Sequence, residues 1–170
     1  MDSSMTDQPL QIREFEDGDW PAIWPIFREV VSARDTYAYD PEWSEDEARE
    51  IWVMTEPGST VVACAGDEVL GTAQMAPNRP GPGSHVATAS FMVDSGKRGR
   101  GVGRLLGEHV VDWARAGGYR AIQFNAVVES NEPAVALWKS LGFEIIGTVP
   151  EAFQHPEHGL VGLHVMYLKL

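Results

Sequence analysis

A single cysteine in 170 residues leaves no partner for an internal disulfide and no thiolate set for zinc. Without a disulfide framework, a reducing cytoplasm is the expected compartment. Cys64 stands in Val61-Val62-Ala63-Cys64-Ala65, a run that reads as buried strand rather than as the surroundings of a nucleophile. Positive charge is also scarce: 13 Lys and Arg against 25 Asp and Glu give a net charge of −12. That balance argues against nucleic acid, whose phosphates are bound by Lys/Arg clusters that release counterions. It suits an approaching amine cation, and it suits plain solubility equally. No apolar run nears the ~20 residues that a membrane span requires. Residues 1–7 lack the basic flank and apolar stretch of a signal peptide. The five histidines do not form a ligand set, since His155 and His158 have no third partner at sensible spacing, so no metal is expected.

What the chain does have is apolar mass, 44% of residues with six Trp and six Phe, enough for one buried core. No repeat or linker divides it, so residues 9–170 read as one domain after a flexible tail at 1–8. Leu10 to Phe15 alternates as a first strand. Asp19 is placed to cap a helix through Ile23, Phe27 and Val31, with Pro21 in its first turn and Pro25 kinking it or marking its true start. Ser44-Glu45-Asp46-Glu47 is a capping box opening a second helix to about Thr55. Ser59 to Ala65 and Val69 to Ala76 form a β-hairpin, and His85 to Val93 is a further strand. A helix from about Gly101 to Ala116 carries the apolar stripe Val102, Leu105, Leu106, Val110 and Trp113. After it come a strand at 119–128, a helix at 131–141, and strands at 144–149 and 163–170. Interleaving of this kind implies an α/β (α+β) class with a mixed sheet.

Between a strand and a helix lies Arg98-Gly99-Arg100-Gly101-Val102-Gly103. Glycine lets the chain turn sharply and lets a ligand touch its backbone. The free N–H groups of the helix's first turn then favour an anion. Lys97, Arg98, Arg100 and Arg104 are four of the 13 basic residues, gathered within eight positions. In so acidic a chain, that reversal calls for a phosphate-bearing ligand. A Walker loop is excluded, because no Lys follows Gly101 or Gly103. The dinucleotide fingerprint fails too, since its third glycine would fall on Arg104.

The loop resembles the [Q/R]-x-x-G-x-[G/A] signature of the GNAT superfamily of N-acetyltransferases, with Arg98, Gly101 and Gly103 in its fixed places. Asn131 to Phe143 is similar to that superfamily's second signature, N-x-x-A-x-x-L-[Y/W]-x-x-x-G-F, one helix and one strand further on. The resemblance implies a mostly antiparallel mixed sheet of about seven strands, flanked by about four helices and splayed between the strands at 85–93 and 119–128. It implies acetyl-CoA as co-substrate, its pantetheine arm paired with backbone at Phe91, Met92 and Val93. Its pyrophosphate would rest on Arg98, Gly99, Arg100, Gly101, Val102 and Gly103, with Arg104 nearby, and Asn131 would hold the pantetheine end. Asn131 can also serve as an ordinary helix N-cap.

Acetyl transfer needs a neutral amine, donors for the developing oxyanion and an exit for the thiol. A backbone N–H at 91–93 is the expected oxyanion donor. Trp138 fills the position where many members of the superfamily offer a tyrosine, and an indole N–H supplies no proton at useful pH. Alternation places Gln123, Asn125, Val127 and Glu129 on one face of their strand. Asn125 and Glu129 are the candidate catalytic residues. Tyr37, Tyr39, Thr88 and Asn125 are the candidate substrate-binding residues, with Ser90 adding to the polar wall. Phe91, Phe124-Asn125 and Asn131 together resemble the branch that acetylates proline analogues and other small amino-acid-like amines. The leading reading is an N-acetyltransferase acting on a primary or secondary amine of a small molecule, with a homodimer admissible and the oligomeric state not read from the sequence. The alternatives are a protein N-terminal or lysine acetyltransferase, and a non-catalytic acyl-CoA-binding sensor.

Overall fold

A computed structural model of the chain describes residues 8–97 and 99–170. The tail, but for Gln8, and Arg98 lie outside the described residues. Thr60 to Cys64 are buried without interruption, the pattern of a strand covered on both faces. This run belongs to β2 (Ser59–Ala65), which pairs with β1 (Leu10–Glu14) and β3 (Glu68–Pro77). The sheet continues through β4 (Val86–Val93), β5 (Ala121–Val128), β7 (Gly159–Lys169) and β6 (Glu144–His155), in the order β1-β2-β3-β4-β5-β7-β6. Every neighbouring pair is antiparallel except β4 with β5. This is the mixed, mostly antiparallel seven-stranded sheet with four helices that the sequence implied.

Two apolar layers cover the sheet. On one side α1 (Trp20–Ala33) and α2 (Glu45–Trp52) pack Ile23, Phe27 and Trp52 against Val62 and Met92. On the other, α3 (Val102–Ala116) and α4 (Glu132–Ser140) pack Leu106, Val110 and Trp138 against Val61, Ile122, Phe124 and Met166. The capping box of α2 is present in both directions, Glu47 N–H to Ser44 Oγ at 3.2 Å and Ser44 N–H to Glu47 Oε2 at 2.7 Å. The helix ends at Trp52, short of Thr55, where Thr60 Oγ1 donates to the Trp52 carbonyl at 3.1 Å and accepts from the Met54 N–H at 2.9 Å; the buried Trp52 indole is also tied to the sheet. Its N–H donates to Thr72 Oγ1 at 3.0 Å, and Thr72 donates on to the Val61 carbonyl at 2.8 Å.

Several expectations are corrected. Asp19 stands at the N-cap position of α1 without capping it. Its carboxylate instead takes Arg13 in a two-pronged pair at 2.7 and 2.8 Å, together with the Glu16 N–H at 2.8 Å. Arg13 holds that carboxyl below its usual range. Pro25 lies inside one continuous helix; the bond it cannot donate would go to Pro21, in the first turn, where little is lost. The strand expected at 144–149 runs on to His155, and the last strand starts at Gly159 rather than 163. Residues 156–158 are the turn of this long hairpin, with His155 Nδ1 accepting from the N–H groups of Glu157 and His158.

The first turn of α3 lies hard against the sheet at Gly71. A Cβ there would sit 2.9 Å from Val102 Cγ1 and 3.0 Å from the Met92 carbonyl oxygen. The glycine therefore sets how near the α3 N-terminus comes to β4. Gly71→Ala should lower stability by about 1–3 kcal/mol through overpacking, a fall of several degrees in Tm measured by thermal denaturation; an unchanged Tm would remove Gly71 from this role.

Candidate active site

β4 and β5 share only two paired positions, Val86 with Ala121 and Ala87 with Ile122. Beyond them the strands part. On β4 the ladder to β3 uses the even-numbered residues: Asp94 N–H bonds Leu70 C=O, and Asn78 N–H bonds Val86 C=O. In an antiparallel pair successive residues turn their polar groups to opposite sides, so Ala89, Phe91 and Val93 aim theirs at the gap. Met92 does not; its backbone faces β3, opposite Thr72.

A cavity of about 420 Å³ runs through the gap and has two halves. On the α3/α4 side it is lined by Gly103, Asn131, Ala134, Leu137 and Trp138; on the α1/α2 side by Thr36, Tyr37, Ala38, Tyr39, Thr88 and Ser90. The side chains of β4 divide the same way, Phe91 packing with the α3/α4 layer and Met92 with the α1/α2 layer. Tyr37 reaches the dividing line. Its hydroxyl donates to the Phe91 carbonyl at 2.7 Å and accepts from the Phe91 N–H at 2.8 Å. Burial pushes the Tyr37 and Tyr39 phenols above their ordinary value, with Ser90 offsetting part of the effect. Both stay protonated through the working range, so neither is a base.

The helical end of the cavity is built for close backbone approach. Gly99 and Gly101 have φ of 86° and 77°, the left-handed region that L side chains adopt only under strain. A Cβ on either would meet nothing within 4 Å. That open space lies over the N-terminus of α3, whose first N–H groups lack helical partners. Arg104 is partly engaged, with Ser140 Oγ at 2.7 Å and Glu108 at 3.3 Å, and Lys97 pairs with Glu68 at 2.7 Å. Asn131 caps α4, its Oδ1 accepting from Ala134 N–H at 3.4 Å, which leaves its amide group free of that bond.

Trp138 is buried in an aromatic cluster, its ring centroid 4.6 Å from Phe91 and 4.9 Å from Phe124. Asn125 lines the cavity and is held by Asn78 at 2.7 Å and Gln123 at 3.0 Å. The even alternation expected of β5 fails at a bulge: Phe124 faces Met166 and Val127 faces His164, three steps against two. Val127 thereby joins Ile122 and Phe124 in the α3/α4 layer and leaves the face of Asn125. Glu129 Oε1 accepts from Gly162 N–H at 2.7 Å, and Glu129 is absent from the cavity wall. Sequence reasoning missed Phe153 and Leu163, which close the cavity from the β6–β7 hairpin. Phe153 was legible only as the lone aromatic of its stretch. No Asp, Glu, His, Lys or Arg lines the cavity among the described residues.

Residues 16–143 match the family model described as Acetyltransferase (GNAT) family. The structure of a GCN5-related N-acetyltransferase from Kribbella flavida superposes with a TM-score of 0.93 at 62% identity, covering 95% of this chain and 98% of that one. That of yncA from Salmonella typhimurium, with its cofactor acetyl-CoA, gives 0.80 at 24% identity over 95% and 94% of the two chains, a likeness of fold. The L-methionine sulfoximine/L-methionine sulfone acetyltransferase of Pseudomonas aeruginosa is 32% identical over 149 residues, 84% of this chain and 85% of the relative. Two other relatives, at 33% and 26% identity, are longer, the match spanning 13% and 66% of their lengths. The parted strands, the glycine-lined helix start and these matches together place the chain in the acetyltransferase (GNAT) family, as an acyltransferase that uses acetyl-CoA.

Proposed function

We propose that the chain acetylates the neutral amine of a small molecule that enters past Tyr37 and Tyr39. The observation that carries this reading is the cavity through the β4–β5 gap, one half facing unpaired β4 backbone and the other walled by the 36–39 loop. A protein acceptor would need a groove on that side. Among small amines, amino-acid-like acceptors come first because of the name of the Pseudomonas relative. The uncharged wall gives their carboxylate no ion pair inside, so it belongs at the mouth.

The residues fit acetyl-CoA by their backbone more than by their charge. Gly99 to Gly103 and the first turn of α3 would hold the pyrophosphate, with Arg100 and Arg104 beside it. Val93 would pair with the pantetheine arm as a strand neighbour would, and Phe91 would meet its acyl end. The Asn131 amide would bond its end. Acetyl-CoA supplies a thioester whose thiol, near pKa ~8.5, departs without a strong acid. The Phe91 N–H would stabilise charge building on the acyl oxygen. Trp138 then contributes shape, not a proton. Asn125, fixed by Asn78 and Gln123, would orient the acceptor rather than take its proton.

No side chain in the wall can act as base near neutral pH, and the uncharged surroundings disfavour an ammonium. The amine must therefore arrive neutral or lose its proton to water. Thiol release from acetyl-CoA with a panel of amines tests this. The expected kcat/KM rises with pH along the acceptor's own ionisation, and its midpoint moves with the acceptor's pKa. A midpoint fixed for all acceptors would reveal a protein base, and no release with any small amine would sink the acceptor class. Gly101→Asp has room for its Cβ but takes on left-handed strain of roughly 1–2 kcal/mol. The folded variant should bind acetyl-CoA at least about tenfold more weakly in a calorimetric titration, because a carboxylate stands at an anion site, and Gly101→Asn, equally strained but uncharged, should lose less. Undiminished affinity would refute the loop's assignment.

A further inference from the structure

The Phe91 N–H is committed, at 2.8 Å, to Tyr37 Oη. A backbone N–H has one hydrogen and serves one well-aligned acceptor. The acyl end of the donor must lie where the cavity passes from one half to the other. That point is Phe91, because Thr88, Ser90, Tyr37 and Tyr39 wall the far half there, whereas Val93 leads back toward the glycine loop. The acyl oxygen and the tyrosine hydroxyl therefore require the same hydrogen.

We propose that Tyr37 is a positioning residue whose hydroxyl holds the oxyanion-binding backbone of Phe91 in the empty protein and is exchanged for the acyl oxygen when acetyl-CoA binds. This rests on reading the gap as the acetyl-CoA slot. Buried backbone groups left without partners are costly, and the parting of β4 from β5 creates such groups at Phe91. The phenol is suited to filling them, since it donates and accepts at one atom. Its bonds to both the N–H and the C=O of one residue reproduce what a neighbouring strand would supply. The exchange keeps β4 in its working geometry between turnovers and sets a cost on acyl-donor binding that free CoA, which has no acyl oxygen, does not meet.

The test is calorimetric titration of acetyl-CoA, and separately of free CoA, into the full chain and its Tyr37→Phe variant. With the hydroxyl gone, Phe91 is unpaired until the acyl oxygen arrives. The variant should then bind acetyl-CoA about 2- to 10-fold more tightly, the worth of one exchanged hydrogen bond, with CoA affinity unchanged within about twofold. A purely structural tyrosine would give the opposite sign, weaker binding of both. A readout independent of the variant's folding is the near-ultraviolet tyrosine difference spectrum of the natural chain, which should change with acetyl-CoA and stay silent with CoA. Equal or weaker binding of acetyl-CoA by the variant, an equal gain for both ligands, or a spectrum silent with acetyl-CoA overturns the proposal. Failure of the natural chain to bind either ligand overturns the slot itself, a distinct result.

Discussion

β4 and β5 run side by side for two residue pairs and then separate, and the rest of the molecule is organised around the backbone groups this leaves in the interior. A buried N–H or C=O without a partner costs free energy comparable to a lost hydrogen bond, so a gap in the middle of a sheet persists only if something fills it. A tyrosine hydroxyl does so at Phe91. On the proposed reading an extended, amide-bearing ligand fills the rest, because it offers the alternating donors and acceptors that a strand would.

The surrounding elements keep the gap open and give its two halves different characters. Gly71 lets the start of α3 close down on β3 and β4, bringing free helix N–H groups to one mouth. Stacked and edge-on rings of Phe91, Phe124, Trp138 and Phe143 fill the α3/α4 side, so the wedge that holds the strands apart is rigid. On the opposite side, Tyr39 stacks on Phe27 of α1, with Tyr37 stacked and Trp43 tilted against Tyr39. A loop with few backbone bonds thereby acquires a fixed place over the acceptor half. Among the described residues these walls carry no charged group, and the proposed preference for a neutral amine follows from that.

Elements with strong local signals were legible in the sequence. The reciprocal Ser44–Glu47 cap, the hairpin around residues 66 and 67 and the apolar stripe of α3 each appear where pattern alone put them. The sheet class, its seven strands and the family signatures followed. What failed depended on contacts distant in sequence. The strand read as 144–149 runs on through Pro150 to His155, because β6 lies at the sheet edge, where a proline is tolerated. The β5 bulge depends on the β7 register, which no alternation within β5 reports. Asp19 looked like a helix cap because its true partner, Arg13, sits on the preceding strand. At the site, the glycine loop and Asn131 were readable as motifs, whereas the Tyr37–Phe91 bond joins residues 54 apart and left no trace in either segment.

The central claim is that the unpaired edge of β4 is where acetyl-CoA binds. Residue-resolved amide hydrogen exchange with and without acetyl-CoA tests it most directly. Protection should rise at Val93 and in the first turn of α3, while Met92 and Ser90, already bonded to β3, stay as they were. Protection gained equally along β4, or confined to elements away from the gap, would contradict the account.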